Sequence, residues 1–182
     1  MRNRAASSIP IVIFILPMVG SLLAADPAKP ATDRERLVGT WAVVEYEIDG
    51  KIHNDSKTIY RFSTNDVKSW QHGSGADKVR FYSGFEVDEK ANPKHLDLIE
   101  SDGMGIETRY TGIYEWDGEK LIWTYAHTAD GVFVDPKTNI NYTARPSELM
   151  TKPGDKMMRT VLTRVTGPKL ATPPDEIKSS GK

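Results

Sequence analysis

Four Asp-Gly pairs divide the middle of the chain into short segments, and this punctuation limits the fold more than any other feature. The pairs are Asp49-Gly50, Asp102-Gly103, Asp117-Gly118 and Asp130-Gly131. Glycine adopts a positive φ without a clash at Cβ, and aspartate tolerates the neighbouring position, so the pair favours the tight turns of β-hairpins. The chain is therefore predicted to consist of short strands joined by turns.

Apolar side chains recur at every second position between these turns. The predicted faces are Val79, Phe81, Phe85 and Val87, opposite Arg80, Tyr82 and Glu86; Ile106, Tyr110, Tyr114 and Trp116; and Leu121, Trp123 and Tyr125. Because a period of two is typical of half-buried strands, each set is expected to share one face of a sheet. The clearest hairpin is predicted at Tyr110–Trp116, the Asp117-Gly118 turn and Lys120–Tyr125.

About eight strands account for this pattern, with little helix beside them. The other six are predicted at Thr40–Ile48, Ile59–Ser63, Val67–His72, Val79–Asp88, His95–Ile99 and Met157–Val165. One helical turn is expected near Asp33–Leu37, with Asp33 as its N-cap. Many short strands separated by turns indicate an all-β sandwich or barrel. The irregular stretch Thr128–Lys156 is unusually long, which predicts a functional loop or a lid over an opening.

The two ends of the chain differ from its patterned middle. Arg2 and Arg4, the apolar stretch Ile9–Leu23 and the small pair Ala24-Ala25 predict a cleaved signal peptide, and thus export to the periplasm or the exterior. The alternative is an uncleaved anchor, although the stretch is short for a bilayer core of about 30 Å. The predicted organisation is a signal peptide at 1–25, a linker at 26–34, a barrel domain at 35–166 and a disordered tail at 167–182.

Charge and cysteine content argue against several classes of protein. Loss of Arg2 and Arg4 with the signal leaves 22 of the 24 lysines and arginines against 25 acidic residues, a formal charge of −3. Nucleic-acid binding needs a concentrated basic patch, so it is not expected. Because the chain has no cysteine, its fold is expected to depend on packing and sheet hydrogen bonds alone. No stable membrane span is expected after signal cleavage.

The segment Leu37-Val38-Gly39-Thr40-Trp41 resembles the opening motif of the lipocalins, in which Gly-x-Trp follows a short helical turn. This resemblance implies a small antiparallel barrel of eight strands whose tryptophan, here Trp41, closes one end. It also implies that an arginine late in the last strand, here Arg164, packs across the indole. A guanidinium over an indole face contributes about 0.5–2 kcal/mol, depending on desolvation.

Four ordered stretches are similar to a narrower group, the uncharacterised lipocalin-like domain found in many copies among planctomycete bacteria. They are Leu37–Trp41 with Asp49-Gly50, Asn92–Asp97, Gly112–Gly118, and Arg145-Pro146 with Leu162–Arg164. The family implies a fold and export but supplies no activity. The chain departs from it at Ser147-Glu148-Leu149, where an aromatic residue is expected.

Aromatic residues on the predicted strands are the candidate ligand-binding residues. They are Trp70, Phe81, Phe85, Tyr110, Tyr114, Trp123 and Tyr125. An eight-stranded barrel is either filled by such side chains or keeps a ligand pocket, and the sequence leaves both alternatives open.

Glu45 and Glu47 add a polar alternative. On a regular strand they share a face with Trp41, so both carboxylates would enter the barrel and suit a cationic or hydroxylated ligand or acid–base chemistry. A β-bulge after Trp41 would reverse the register and leave both acids in solvent. The bulge is favoured because unpaired buried carboxylates are costly.

The sequence contains no pattern typical of catalysis or metal binding. The four histidines, His53, His72, His95 and His127, lack metal-binding spacing, and His95 with Asp97 has no evident third ligand. No metal, cofactor or catalytic residue is predicted, and an enzyme is the least favoured function. The favoured function is binding of a small apolar or amphipathic ligand in the barrel. The alternative is a filled barrel that binds another exported protein, as an interaction or structural module of the cell envelope.

Overall fold

The computed structural model describes residues 32–54, 57–72, 78–102, 104–126, 133–138 and 140–167. The predicted signal peptide, most of the predicted linker and the predicted tail beyond Gly167 lie outside these residues. The last three linker positions, Thr32, Asp33 and Arg34, are described, and they form the cap and first turn of a helix. These three positions are therefore part of the folded domain.

The predicted helical turn is confirmed as α1 (Asp33–Leu37), but its N-cap is Thr32 rather than Asp33. Thr32 Oγ1 accepts a hydrogen bond from the Glu35 amide at 3.1 Å, and the Glu35 carboxylate accepts one from the Thr32 amide at 3.2 Å. This reciprocal pair satisfies amides that a helix N-terminus leaves free. The Asp33 carboxylate instead accepts hydrogen bonds from Lys94 Nζ at 2.6 Å and from Tyr114 Oη at 2.7 Å, which attaches α1 to the sheet.

The thirteen strands of the described residues form one sheet. In chain order they are β1 (Gly39–Ile48), β2 (Lys51–Asn54), β3 (Thr58–Phe62), β4 (Val67–Gln71), β5 (Arg80–Tyr82), β6 (Gly84–Asp88), β7 (Lys94–Ser101), β8 (Glu107–Tyr110), β9 (Gly112–Asp117), β10 (Lys120–Ala126), β11 (Phe133–Asp135), β12 (Ile140–Tyr142) and β13 (Met157–Arg164). The strand order is β11-β12-β8-β7-β9-β10-β13-β1-β3-β4-β5, with β2 paired to β1 and β6 paired to β7. The β12–β8 pair is parallel, whereas the pairs along the rest of this path are antiparallel.

The prediction of an all-β, barrel-like fold is confirmed, but the prediction of about eight strands is wrong. Three short strands, β2, β11 and β12, lie outside the predicted set, and of β8 only Tyr110 falls within it. The predicted strand Val79–Asp88 divides at Ser83 into β5 and β6, and Thr111 separates β8 from β9. Alternating apolar residues indicate a strand, but they carry no signal for a one-residue interruption of its ladder.

The segment that contains β5 and β6 joins two parts of the sheet that are distant in strand order. β5 pairs with β4, β6 pairs with β7, and only Ser83 lies between β5 and β6. The sheet therefore curls around an interior. The predicted β9–β10 hairpin is confirmed, with Asp117 opposite Lys120 across a turn at Gly118, whose φ is 57°.

Large side chains fill the end of the interior next to α1. They include Leu37, Trp41, Phe62, Phe85, Leu96, Tyr114, Leu121, Trp123 and Leu162. Phe62 and Phe85 meet edge to face with ring centroids 5.3 Å apart, which is a favoured arrangement for two aromatic rings. This end of the interior is therefore occupied by the protein itself.

The predicted contact between Trp41 and Arg164 is present at this filled end. The guanidinium carbon of Arg164 lies 4.4 Å from the centre of the Trp41 ring. Trp41 Nε1 donates a hydrogen bond to Leu37 O at 2.7 Å, and Arg164 Nη1 donates one to Val38 O at 2.8 Å. Gly39 has a φ of +137°, and a Cβ there would lie 2.2 Å from Arg164 Nη1. The contact therefore requires glycine two residues before the tryptophan.

Residues 143–155, named here the outer strap, lie along the outer face of the sheet. They contact five positions on the strands or their turns, namely Thr111, Asp97, Thr124, Glu47 and Asp49. Asp97 and Thr124 alternate with residues of the filled core, so they point outward. This part of the stretch Thr128–Lys156 covers the wall of the barrel-like sheet, so the prediction of a lid over an opening is wrong for it.

Candidate functional site

Two adjoining cavities of about 200 and 230 Å³ lie at one end of the interior and open to solvent, and together they are named here the tyrosine cavity. Tyr60, Tyr125 and Met158 line both of them. The first is also lined by Val43, Tyr46, Thr58, Gln71 and Thr160, and the second by Ser69, Arg80, Tyr82, Leu98, Tyr110 and Ala126. Aromatic rings and aliphatic groups share these walls with hydroxyl, amide and guanidinium groups, and a concave space with convergent polar groups is typical of small-molecule sites.

Strand register places the tyrosine cavity at the end of the interior opposite to the Trp41 contact. Tyr125 of β10 lies opposite Met158 near the start of β13, whereas Arg164 ends that strand. A β-bulge between Val43 and Glu45 shifts the alternation in β1, so Tyr46 faces the cavity together with Val43. The interior therefore has a filled end and an end with space.

Two buried phenols meet at the wall that the two cavities share. The hydroxyl oxygens of Tyr60 and Tyr125 are 3.1 Å apart. Burial raises the pKa of the Tyr60 phenol well above its usual value, and burial likewise raises the pKa of Tyr125. Both hydroxyls therefore keep their protons at neutral pH. Because one proton is sufficient for the contact between them, the pair retains one further hydroxyl proton and acceptor lone pairs.

An ion pair with a third phenol lies at the edge of the second cavity. Arg80 donates to the Glu100 carboxylate through Nε at 3.1 Å and through Nη2 at 2.7 Å, and Tyr110 Oη donates to Glu100 Oε2 at 2.7 Å. Burial opposes ionisation of Glu100, yet the hydrogen bonds from Arg80 and Tyr110 lower the pKa of this carboxyl. Burial also opposes the charge of Arg80, but its bonds with Glu100 raise the pKa of the guanidinium. The pair is thus ionised and compensated.

The seven predicted aromatic residues are divided between the tyrosine cavity, the core and the outside. Tyr110 and Tyr125 line the cavity. Trp123 packs behind it, stacked on Tyr125 with ring centroids 4.0 Å apart. Phe85 and Tyr114 belong to the core cluster and line neither cavity.

Phe81 faces solvent, contrary to its predicted place on the face of Phe85. It is 53% exposed, whereas its neighbours Arg80 and Tyr82 line the second cavity. The interruption at Ser83 shifts the alternation by one residue. Even-numbered residues face the interior before Ser83, and odd-numbered residues face it afterwards. The predicted face is wrong for this reason.

Trp70 is buried but does not face the tyrosine cavity. Its neighbours Ser69 and Gln71 do line it, and successive side chains of a strand point to opposite faces. Trp70 lies opposite Ile59, which is also buried and also absent from the core cluster. Trp70 therefore lies outside the tyrosine cavity.

Glu45 and Glu47 lie on the outer wall, because the predicted bulge is present, at Val44. Arg159 Nη1 donates to Glu45 Oε1 at 3.0 Å and lies 3.9 Å from Glu47 Oε2. The prediction that both acids are solvated is wrong for Glu47, which is only 2% exposed. The outer strap covers it, and Thr151 Oγ1 donates to Glu47 Oε1 at 2.8 Å. A carboxylate pair inside the barrel is thus not formed.

The sequence pattern missed Tyr46, Tyr60 and Tyr82, together with the Arg80–Glu100 pair. A signal for Tyr60 was present, since it alternates with Phe62 in a predicted strand, and both are buried. Tyr46 follows a break in alternation and Tyr82 precedes one, so the sequence pattern does not assign the side of the sheet on which either residue lies.

No family model, curated protein or solved structure matches this chain. In the part of the chain that the structure describes, no group of three or more His, Asp or Glu side chains is placed to hold a metal ion. None of the described helices combines the length and the apolar character needed to cross a bilayer.

Proposed function

We propose that this chain is an exported, lipocalin-like protein that binds a small apolar or amphipathic ligand in the tyrosine cavity. The observation that carries the proposal is the pair of adjoining cavities walled by Tyr60, Tyr125 and Met158, with buried hydroxyls at their shared wall. A concave space that combines aromatic and aliphatic walls with convergent polar groups is a usual form of a ligand site.

Pairing around the sheet supports a closed, eight-segment barrel of the lipocalin kind. Antiparallel pairs lead from β1 through β3 and β4 to β5, continue across Ser83 into β6, and return through β7, β9, β10 and β13 to β1. If β5 and β6 count as one segment, this circuit contains eight segments. Small closed barrels of this size either fill their interior or hold one small ligand. Here the filled end supplies stability and the tyrosine cavity supplies the binding space.

Trp123 provides the readout for a ligand test, because it stacks on Tyr125 and meets Tyr60 at 5.8 Å between ring centroids. A panel of neutral lipids and aromatic metabolites is titrated into the protein while tryptophan emission is recorded. We expect a saturable change in emission with at least one class of compound. The Thr58→Phe variant, which places a ring at the cavity wall, should abolish it, whereas Thr166→Phe at an exposed position should not. Absence of saturable binding across the panel would contradict the proposal.

A second candidate function is an interaction or structural module of the cell envelope. β11 ends the strand order, and its residues Phe133 and Val134 are 64% and 57% exposed. Strand edges with exposed apolar residues are prone to pair with another chain. On this alternative, a complex formed with an identified envelope protein is lost in the Phe133→Asp variant, while the Thr58→Phe variant retains it.

A further inference from the structure

We infer that the tyrosine cavity selects uncharged ligands that present one hydroxyl or carbonyl group to the Tyr60–Tyr125 pair. This inference rests on the proposed function and specifies the chemistry of its ligand. Three features of the described residues support it: the charge balance of the lining, the unused hydrogen-bonding capacity of the phenol pair, and the aromatic wall behind that pair.

The lining of the tyrosine cavity offers no uncompensated charge. Among the described lining residues Arg80 is the one charged side chain, and Glu100 binds it through two hydrogen bonds. A ligand anion would approach a guanidinium whose charge Glu100 already balances. A ligand cation would meet the Arg80 charge and the protonated phenols. Since a buried charge without a counter-ion is costly, both kinds of ion are disfavoured.

The phenol pair can satisfy one polar group of a neutral ligand. Each phenol supplies one donor and accepts hydrogen bonds, and the 3.1 Å contact uses one of the two protons. A ligand hydroxyl can donate to one phenol and accept from the other, and a ligand carbonyl can accept the remaining proton. A purely apolar ligand would leave this buried donor unpaired, which is unfavourable. The pair therefore favours a polar but uncharged head group.

The wall behind the pair is aromatic and holds the two phenols in place. Trp123 supports both phenols, stacked on Tyr125 and edge to face with Tyr60. This packing fixes the two rings, while the unbranched side chain of Met158 beside them can adapt to the shape of a ligand. The site thus combines two phenol hydroxyls in fixed positions with an apolar side chain that can adapt to the ligand.

Four compounds with one ring system test the inference: 2-naphthol, 2-naphthoate, 2-naphthyltrimethylammonium and naphthalene. Their dissociation constants for the full chain at neutral pH are measured by titration calorimetry. We expect 2-naphthol to bind about tenfold or more tighter than either ion, because each ion loses hydration without gaining a counter-charge. It should also bind about fivefold tighter than naphthalene, the value of one ordinary hydrogen bond.

Removal of the Tyr60 and Tyr125 hydroxyls should abolish the preference for 2-naphthol over naphthalene. The Tyr60→Phe and Tyr125→Phe variants, alone and combined, keep the ring and delete the hydroxyl. Tyr142→Phe is the matched control, because Tyr142 lies on β12 and lines neither cavity. Circular dichroism of each variant verifies its folding. Each single variant keeps one phenol and should reduce the preference, and this reduction is the test if the double variant does not fold.

The possible results distinguish the inferred ligand preference from ligand binding itself. Tighter binding of 2-naphthoate or of the ammonium compound overturns the inference while ligand binding itself stands. An unchanged preference in the Phe variants overturns the role of the phenol pair. If none of the four compounds binds, the result counts against the proposed function as well.

Discussion

At the scale of single residues, one glycine decides how closely three parts of the core approach each other. A Cβ on Gly112 would lie 2.3 Å from Trp123 Nε1, 2.8 Å from Leu96 O and 2.9 Å from Thr124 O. Trp123 Nε1 donates to Leu96 O at 3.1 Å close beside this glycine. The absent side chain therefore allows the indole behind the tyrosine cavity to satisfy its polar group, as a buried tryptophan requires.

The Gly112→Ala variant is accordingly expected to be less stable by about 3 kcal/mol, since two of the contacted atoms belong to the backbone and can move little. Gly84→Ala is the control, because a Cβ there meets its nearest atom at an ordinary 3.5 Å. Its effect should stay within about 1 kcal/mol. Urea unfolding at neutral pH measures both. Equal midpoints for the two variants would contradict this account of Gly112.

At the scale of elements, the outer strap stabilises the sheet from its outer face, which points away from the interior. Arg145 Nη1 and Nη2 donate to the two oxygens of Asp97 at 2.7 Å each, and Nη1 also donates to Gly112 O at 2.6 Å. Asp97 Oδ1 in turn accepts from the Gly112 amide at 3.1 Å. One strap residue thus connects β7 with β9 where these strands adjoin the β8 segment.

Loss of the Arg145 side chain is expected to destabilise the protein and to loosen the strap. The Arg145→Ala variant leaves the largely buried Asp97 without its bidentate partner, so we expect a loss of about 2 kcal/mol. Lys152→Ala removes an ion pair with Glu148 that is exposed on the same strap, and it should cost less than about 0.5 kcal/mol. Hydrogen exchange at the Gly112 amide should accelerate in the first variant and remain unchanged in the second. Similar effects of the two substitutions would show that the strap contact is not structural.

An element can be predicted from the sequence when the alternation of interior-facing and outward-facing residues runs through it without a break. From Tyr110 to Tyr125 the interior-facing side stays in phase, so the hairpin and two cavity residues could be predicted. At Ser83 and at Val44 the phase changes, and the sides of Phe81 and Tyr82 could not be assigned from the pattern. The burial of Glu47 depends on contact with the outer strap about a hundred residues later, which no local pattern reports.

At the scale of the whole molecule, an ionised carboxyl group anchors each end of the interior. At the filled end Asp33 accepts hydrogen bonds from Lys94 and Tyr114. At the cavity end Glu100 accepts them from Arg80 and Tyr110. These contacts join segments far apart in the chain, so protonation of the two carboxyls affects the assembly of the whole sheet.

Stability is therefore expected to fall in acid. Burial opposes ionisation of both carboxyls, but the hydrogen bonds from Lys94 and Tyr114 lower the pKa of Asp33 below its ordinary 3.8, and those from Arg80 and Tyr110 lower the pKa of Glu100 below 4.5. A carboxyl with a lowered folded pKa stabilises the folded state above its ordinary value, and this contribution is lost as the pH falls through the folded pKa.

Urea midpoints measured between neutral pH and about pH 3 test this linkage. Asp33→Asn and Glu100→Gln should each lower the midpoint at neutral pH and flatten its decline in acid, so that their curves approach that of the unmodified protein as the pH falls. Asp117→Asn, in the exposed β9–β10 turn, serves as the control and should leave both the midpoint and its slope almost unchanged. Curves for Asp33→Asn and Glu100→Gln that stay parallel to the original down to acid would show that these two carboxyls do not carry the pH dependence.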